Sequence, residues 1–353
     1  MLSLIRNRSL NLWFDTSEGV IFRISSTLIL ASAITILLLP LFVRLLKAKG
    51  LVEPVKDFQG LNPSSKRGTP IMGGLVVLLG SLAPLILLVR LESPSVQVIL
   101  FSAVFFGATG FLDDFLKTRT SRKGVGLSQG QKYSVQFVGA FIILFVVGRI
   151  HSYESTVGVP YVIPFMRNPF FLTGNIWFAI GILLIIFFTN STNITDGMDG
   201  LLAFPAAILS LTLSIASLIL SQQPPNPEIS ITLAACAGAF LGFLWHNSYP
   251  ASVFLGDTGS LMIGASLATA ALVLRLELIL LIGGFLFVAQ GLSSLIQSYF
   301  GVALLGRRIF FRAPLHHTWH FSGLSEPKIV TRVWLFSLLC ATLAACSLLI
   351  HFD

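Results

Sequence analysis

Long apolar runs alternate with short polar intervals along almost the whole chain. Ten runs read as membrane-spanning helices, near residues 23–46, 71–90, 96–116, 132–149, 174–190, 200–220, 230–247, 252–274, 278–304 and 332–351. A helix needs about 20 mostly apolar residues to cross a hydrocarbon core, and these runs meet or approach that length. The ninth run is long, and a bend is expected at Gly291 or Gly301. Between the fourth and fifth runs, His151 to Asn168 is weakly β-like, with prolines and aromatics, and predicts a short interfacial hairpin or loop. The pattern therefore predicts an all-α integral membrane protein of about ten transmembrane helices, forming a single polytopic domain over residues 1–353.

The polar residues that interrupt this pattern are concentrated. After the apolar run from Ile176 to Phe188 comes Asn190-Ser-Thr-Asn-Ile-Thr-Asp-Gly-Met-Asp-Gly200. A carboxylate in hydrocarbon costs roughly 2.5–3.5 kcal/mol even on lenient insertion scales, so two at a span end need a purpose. Asn190, Asn193, Asp196 and Asp199 recur every third residue. A helix advances about 100° per residue, so a three-residue step drifts by about 60°, and one straight helix cannot align all four. Gly197 and Gly200 offer a place for the helix to loosen. A simple polar cap would need only one or two such residues.

Composition narrows the class. Hydrophobic residues make up 54% and charged residues 11% of the 353, with mean hydropathy +0.86. A soluble domain carries about 25% charge. The net charge of +8 does not indicate a nucleic-acid partner, because most of the length belongs in lipid. Cys236, Cys340 and Cys346 lie in apolar runs without metal-ligand spacing and read as small core residues. Residues 1–22 contain Trp13, Phe14 and scattered charges, which fits an interfacial lead-in better than a cleaved signal.

The positive charge also gives an expected orientation. The loops after spans one, three and nine hold 16 of the 23 lysines and arginines, which makes them cytoplasmic by the positive-inside rule. The acids Glu53, Asp57, Asp113, Asp114, Asp196, Asp199, Asp257 and Glu326 fall on that same side. Five of these eight sit at span ends beside apolar runs, as one cytoplasm-facing polar cavity requires.

Four further stretches carry chemistry. Phe111-Leu-Asp-Asp-Phe-Leu-Lys117 ends span three. Adjacent helical residues point about 100° apart, so Asp113 and Asp114 suit two roles rather than one shared proton. Asp113 and Lys117 are i,i+4 neighbours in the favourable order. Asn247 to Ser260 opens span eight, with Asp257 between Gly256 and Gly259. Carboxylate oxygen is what Mg²⁺ prefers, with water and substrate phosphate completing the shell. Pro314-Leu-His316-His317-Thr-Trp-His320 lacks the cysteine and spacing of a zinc site and suits phosphate contact or proton transfer. Ser65-Lys-Arg-Gly-Thr-Pro-Ile-Met-Gly-Gly74 could anchor the membrane face or cradle phosphate. Together these point to phosphoryl transfer from a water-soluble donor to a lipid acceptor, chemistry that rests on positioning and charge neutralisation.

These stretches, in this order from about residue 40 to 340, resemble the phospho-N-acetylmuramoyl-pentapeptide transferase family. The central asparagine–aspartate stretch is shared with the wider superfamily of polyprenyl-phosphate N-acetylhexosamine-1-phosphate transferases. Thr69 to Gly74 and Asn247 to Asp257 resemble the narrower family. The resemblance implies ten spans, a homodimer, Mg²⁺, and a multi-pass location in the bacterial inner membrane with a cytoplasmic active site. It also implies transfer of phospho-MurNAc-pentapeptide from UDP-MurNAc-pentapeptide to undecaprenyl phosphate, giving lipid I and UMP. By position it makes Asp257 the metal ligand. Asp113 becomes the base or orienter of the lipid phosphate, and Asp114 a support for metal or phosphate. Asn193 and Asp196 line the cleft, with Asn190 beside them. Gly197, Met198, Asp199, Asn247 and Phe254 match a uridine pocket, Phe254 stacking on uracil. Lys66, Thr69, Lys117, Lys132, His316 and His317 would face phosphates or sugar. The chain departs from the family where three consecutive histidines are usual: Thr318 stands third, followed by Trp319 and His320. Met198 stands where leucine is common, and one extra residue separates Asp114 from Lys132.

Two rivals remain at this point. A relative transferring GlcNAc-1-phosphate to the same lipid would turn over UDP-GlcNAc. A nucleotide or anion transporter also buries charge in broken helices, but such folds often carry paired repeats and mid-membrane sites. No repeat is visible here, and the acids gather on one side.

Overall fold

The computed structural model describes residues 15–50, 68–119, 126–151, 159–166, 168, 170–220 and 227–349. Lys66 of the predicted site lies outside them. The elements are α1 (Ser17–Ala48), α2 (Gly74–Leu82), α3 (Leu85–Leu88), α4 (Pro94–Arg119), α5 (Gln129–Ile150), β1 (Val159–Tyr161), β2 (Phe170–Leu172), α6 (Gly174–Thr195), α7 (Ala203–Leu220), α8 (Pro227–Asn247), α9 (Gly256–Leu274), α10 (Glu277–Gly283), α11 (Phe285–Leu295), a π-helical stretch (Ile296–Leu304), α12 (Leu315–Phe321) and α13 (Glu326–Leu349). Eight of the helical segments are long and apolar enough to cross a membrane, and two shorter apolar ones cover Gly74–Leu88 and Ala203–Ile219. The protein is an all-α multi-pass membrane protein.

Two expectations about the spans are refined. The second is divided at Pro84, which cannot donate the backbone hydrogen bond an uninterrupted helix needs. The ninth breaks at Gly283–Gly284 instead of Gly291. Gly291 is a packing residue: a side chain there would run into Ser191 on α6. Gly301 falls inside the π-helical stretch that ends the span. A hairpin forms where a loop or hairpin was expected, but its second strand lies beyond Asn168: Val159 is opposite Leu172 and Tyr161 opposite Phe170 in antiparallel register. It joins the ends of α5 and α6 that lie farthest from Lys132 and Asn193.

α9 is the axis of the bundle. It packs against α4 and α6 along its length and against α2. Every residue from Thr258 to Val273 is buried. Alanine, serine, threonine and glycine dominate this helix, and small side chains let neighbouring backbones approach closely where lipid supplies little hydrophobic drive. α1 and α8 use the same device. Gly238 and Gly242, four residues apart on α8, face Leu28 and Ser32 of α1, with no room for a Cβ at either glycine.

At the end of the bundle marked by the starts of α1, α4 and α8, a buried ion pair joins three segments. The Arg23 guanidinium donates to both Glu228 oxygens at 2.7 and 2.6 Å, and its Nε–H donates to the Leu88 carbonyl at 2.8 Å. The Arg90 backbone N–H gives Glu228 a third hydrogen bond at 2.7 Å. This fastens the broken α2–α3 segment to α1 and α8.

Candidate active site

At the opposite end of α4, four helices bring charged termini together: the end of α4, the start of α5, the end of α6 and the start of α9. Asp113, Asp114 and Asp257 each present an oxygen, all within 4.8 Å of one another. Two lysines sit among them. Lys117 Nζ lies 2.6 Å from Asp113 and 3.1 Å from Asp257. Lys132 Nζ lies 2.7 Å from Asp113 and 2.9 Å from Asp257. Three carboxylates against two ammonium groups leave one negative charge in excess when all are ionised.

The two adjacent aspartates are used differently. Asp114 turns inward and accepts the backbone N–H groups of Asp257 and Thr258, both at 3.0 Å, and the Thr258 hydroxyl at 2.8 Å. It is thus an N-terminal cap for α9 supplied from another helix, and its charge complements the positive end of that helix. Asp113 faces the lysines and accepts the Leu127 N–H at 2.7 Å. Asp257 is held on its other side by Asn193, whose amide donates to Asp257 Oδ1 and to Ser260 Oγ, both at 2.9 Å.

Glycines let this floor close. Gly256 has φ +78°, which a side chain would strain, and a Cβ there would meet the Asp114 carboxylate. Gly74 and Gly110 lie directly on the backbone of α9 at Gly259 and Asp257, leaving no space for a methyl group. The N–H groups of Gly73 and Gly74 donate to the carbonyls of Phe254 and Leu255 at 2.9 Å, and Phe254 N–H donates to Pro70 at 2.9 Å. Of the stretch expected to anchor the membrane face or cradle phosphate, the basic pair Lys66–Arg67 lies outside the described residues, and the glycine N–H groups bond to protein backbone. Those donors are already used to fasten the 254–259 backbone, and Thr69 is buried beside this junction.

The rest of the central stretch spreads over two layers. Asn190 donates to Gln136 Oε1 and to the Ile186 carbonyl, both at 2.7 Å, so it ties α6 to α5 one turn below Lys132 and Asn193. Asp196 caps the end of α6, half-buried and outside the three-carboxylate group. Beyond it the chain turns through Gly197 and Gly200. Met198 and Asp199 are buried. Asp199 accepts the Ala251 N–H at 3.0 Å, and its own N–H donates to Glu326 at 2.8 Å. Asn247 accepts the Gly200 N–H and donates to the Val253 carbonyl, both at 2.9 Å. Trp334 of α13 donates to the Gly200 carbonyl at 3.0 Å and stacks on Phe204. This second layer holds the 247–254 loop, and with it Phe254, against the Gly197–Gly200 turn.

The histidine loop closes over that turn. His316 is fully buried, and its Nδ1 lies 3.2 Å from Gln290 Oε1 on α11. Burial and the neighbouring His317 and His320 push its pKa down to about 3, so it is neutral at physiological pH. His317 is shifted downward as well, mainly by burial, with His320 and Arg312 contributing. His316 therefore brings no positive charge to the site, in contrast to Lys117 and Lys132. Thr318, where a third histidine is usual, bonds through its hydroxyl to both backbone groups of Arg312 and ties off the loop.

Comparison with known proteins accords with this layout. A family description, glycosyl transferase family 4, matches residues 96–275, which run from α4 to α9 and include all three clustered aspartates. Proteins named phospho-N-acetylmuramoyl-pentapeptide-transferase match nearly end to end. That of Desulfotalea psychrophila is 32% identical over 347 residues, 95% of either chain. That of Aquifex aeolicus is 33% identical over 344 residues, 94% of either chain, and that of Desulfosudis oleivorans 31% over 350 residues, 96% of either. The chain belongs to the phospho-N-acetylmuramoyl-pentapeptide-transferase family. The family resemblance read from the sequence thus holds across nearly the whole chain. Gln136, Thr258, Ser260, Gln290, Glu326 and Trp334 support the site but were not among the residues expected there. Thr258 and Ser260 had a signal, since they share the first turn of a helix with Asp257. Gln136 and Gln290 had a weaker one, each being an amide inside an apolar helix.

Proposed function

We propose that this protein transfers phospho-MurNAc-pentapeptide from UDP-MurNAc-pentapeptide to undecaprenyl phosphate, forming lipid I and releasing UMP. The observation that carries the proposal is the meeting of Asp113, Asp257, Lys117 and Lys132 at one helix-end cluster, in a chain that matches transferases of that name along nearly all its length. The site is read as facing the cytoplasm of the bacterial inner membrane, because the basic loops flank it. The proposal includes a single membrane domain and a homodimer.

The donor set fits Mg²⁺: three carboxylate groups lie close together, and two ammonium groups occupy the positive side of the cluster. Asp257 is the principal ligand in this reading, because Asp114 already accepts three hydrogen bonds from α9. Bound there, Mg²⁺ would neutralise charge on the diphosphate and the leaving UMP. Lys117 and Lys132 release Asp113 and Asp257 and turn to phosphate oxygens. Asp113 orients the lipid phosphate and takes its proton if one is present. Asn193 keeps Asp257 aimed at the cluster. Asp196 and Asn190 shape the wall, and Thr69, with Lys66 outside the described residues, completes the proposed substrate contacts. Gly197, Met198, Asp199, Asn247 and Phe254 receive the uridine, with His316 and His317 closing the pocket.

Purified protein mixed with Mg²⁺, undecaprenyl phosphate and either UDP-MurNAc-pentapeptide or UDP-GlcNAc tests this. UMP release with the muramoyl-peptide nucleotide alone is expected. Turnover of UDP-GlcNAc in its place would instead make the protein a GlcNAc-1-phosphate transferase.

A further inference from the structure

His316 presents a chemical state that its surroundings fix. Two donors on it converge on one atom of Gln290: the His316 backbone N–H at 3.4 Å and ring Nδ1 at 3.2 Å. A backbone N–H can only donate, so the Gln290 atom it meets is the amide oxygen, and this settles the amide's orientation. An amide oxygen only accepts, so Nδ1 must carry the ring hydrogen. A neutral imidazole has one such hydrogen, which leaves Nε2 as a bare acceptor. Nε2 is fully buried and has no hydrogen-bond partner. It lies against Gly197, where any side chain would collide with the ring. An unpartnered buried acceptor costs about 1–3 kcal/mol, and a group that supplies its hydrogen recovers that cost.

From this geometry we infer that Gln290 is a positioning residue that locks His316 in the Nδ1–H form, so that Nε2 accepts a hydrogen bond from a hydroxyl or N–H of the bound nucleotide at the Gly197 turn. The inference rests on the proposed nucleotide site but assigns His316 a different task from phosphate binding. The glycine gives the ring its place, Gln290 gives it its tautomer, and Thr318 fixes the loop that carries it. The groups facing the ring are His317 and His320 on its own helix and Gln290 on α11. Burial keeps the ring neutral, so Nε2 stays bare across the physiological range.

The test combines spectroscopy with kinetics. Nitrogen chemical shifts of ¹⁵N-histidine-labelled protein, with His316 assigned by loss of its signals in His316→Ala, should show a protonated Nδ1 and an unprotonated Nε2. A protonated Nε2 in the wild-type protein overturns the inference without touching the proposed reaction, because no substrate is present. Gln290→Leu should raise the nucleotide KM about tenfold and leave kcat within about twofold, since one hydrogen bond is worth roughly 1.4 kcal/mol at that ratio. Gln290→Glu should restore binding at high pH. A carboxylate beside Nδ1 favours the doubly protonated ring, so binding should weaken as pH falls through the raised His316 pKa. Wild-type protein should show no such loss in that window. A Gln290→Glu profile that overlays the wild type would overturn the assignment. Failure of the reaction proposal would appear separately, as absence of UMP release by the wild type.

Discussion

Two ionic clusters sit toward opposite ends of α4 and differ in what completes them. At one end, Arg23 and Glu228 complete each other. Glu228 receives three N–H groups from the protein, and both side chains are almost entirely hidden, at 4% and 6% exposure. At the other end, Asp113 and Asp257 are shared by two lysines whose side chains remain about a quarter exposed. In the first cluster Glu228 takes fixed donors from two segments, the Arg23 side chain and the Arg90 backbone, while Arg23 Nη1 stays buried without a partner, and the pair serves to hold the segments together. The second has lysines that reach solvent, which the proposed metal ion and substrate phosphates would displace. Burial of charge alone does not mark a functional site; partners that can leave do.

That contrast can be broken or sharpened by substitution. The largest effect is expected for Asp257→Asn, which keeps the Asn193 contact but removes the charge. UMP release should fall about a thousandfold or more, with the fold retained, since charge stabilisation by a metal is worth several kcal/mol. Near wild-type turnover in that variant would remove Asp257 from the reaction. Arg23→Leu should behave in the reverse way. It leaves Glu228 buried without its counter-charge, and breaking such a pair typically costs about 3–5 kcal/mol of stability. A lower unfolding midpoint in detergent with normal kcat in the surviving enzyme is the expected result. A normal midpoint with lost turnover would erase the distinction between the clusters.

Smaller effects test the supports. Lys132→Met should lower kcat about a hundredfold, the scale of removing one charge-stabilising donor, and Lys117 should partly compensate through its own contacts with both acids. Asp199→Ala should weaken nucleotide binding about tenfold, measured directly by calorimetry, while lipid binding stays unchanged. It frees the Ala251 N–H and loosens the loop that carries Phe254. Equal weakening for both ligands would take Asp199 out of the uridine pocket.

The sequence carried the helices well because lipid imposes a strong rule: backbone groups in hydrocarbon must be satisfied within the segment. Ten apolar runs became ten helical segments, and a hairpin formed after His151, with its second strand beyond the expected stretch. Bends were harder to read. Gly283–Gly284 and Gly291 read alike in one dimension, and all three pack closely against neighbours, yet the helix breaks only at the first pair. The carboxylates were visible because charge in an apolar run is conspicuous. That Asp113 and Asp114 take two roles was visible as well, but that Asp114 caps α9 was not, since this depends on where α9 begins relative to α4. The backbone contacts of Gly73 and Gly74 were hidden for the same reason. A Gly-Gly step reads alike whether it faces phosphate or another backbone.

Gly74, Gly110 and Gly259 set the floor beneath Asp257 by bringing three backbones into contact. A wall made of main chain offers few side chains for selection to exchange. An inhibitor resting against it would leave little to alter there, and escape substitutions would be driven outward, to the lysines and the histidine loop.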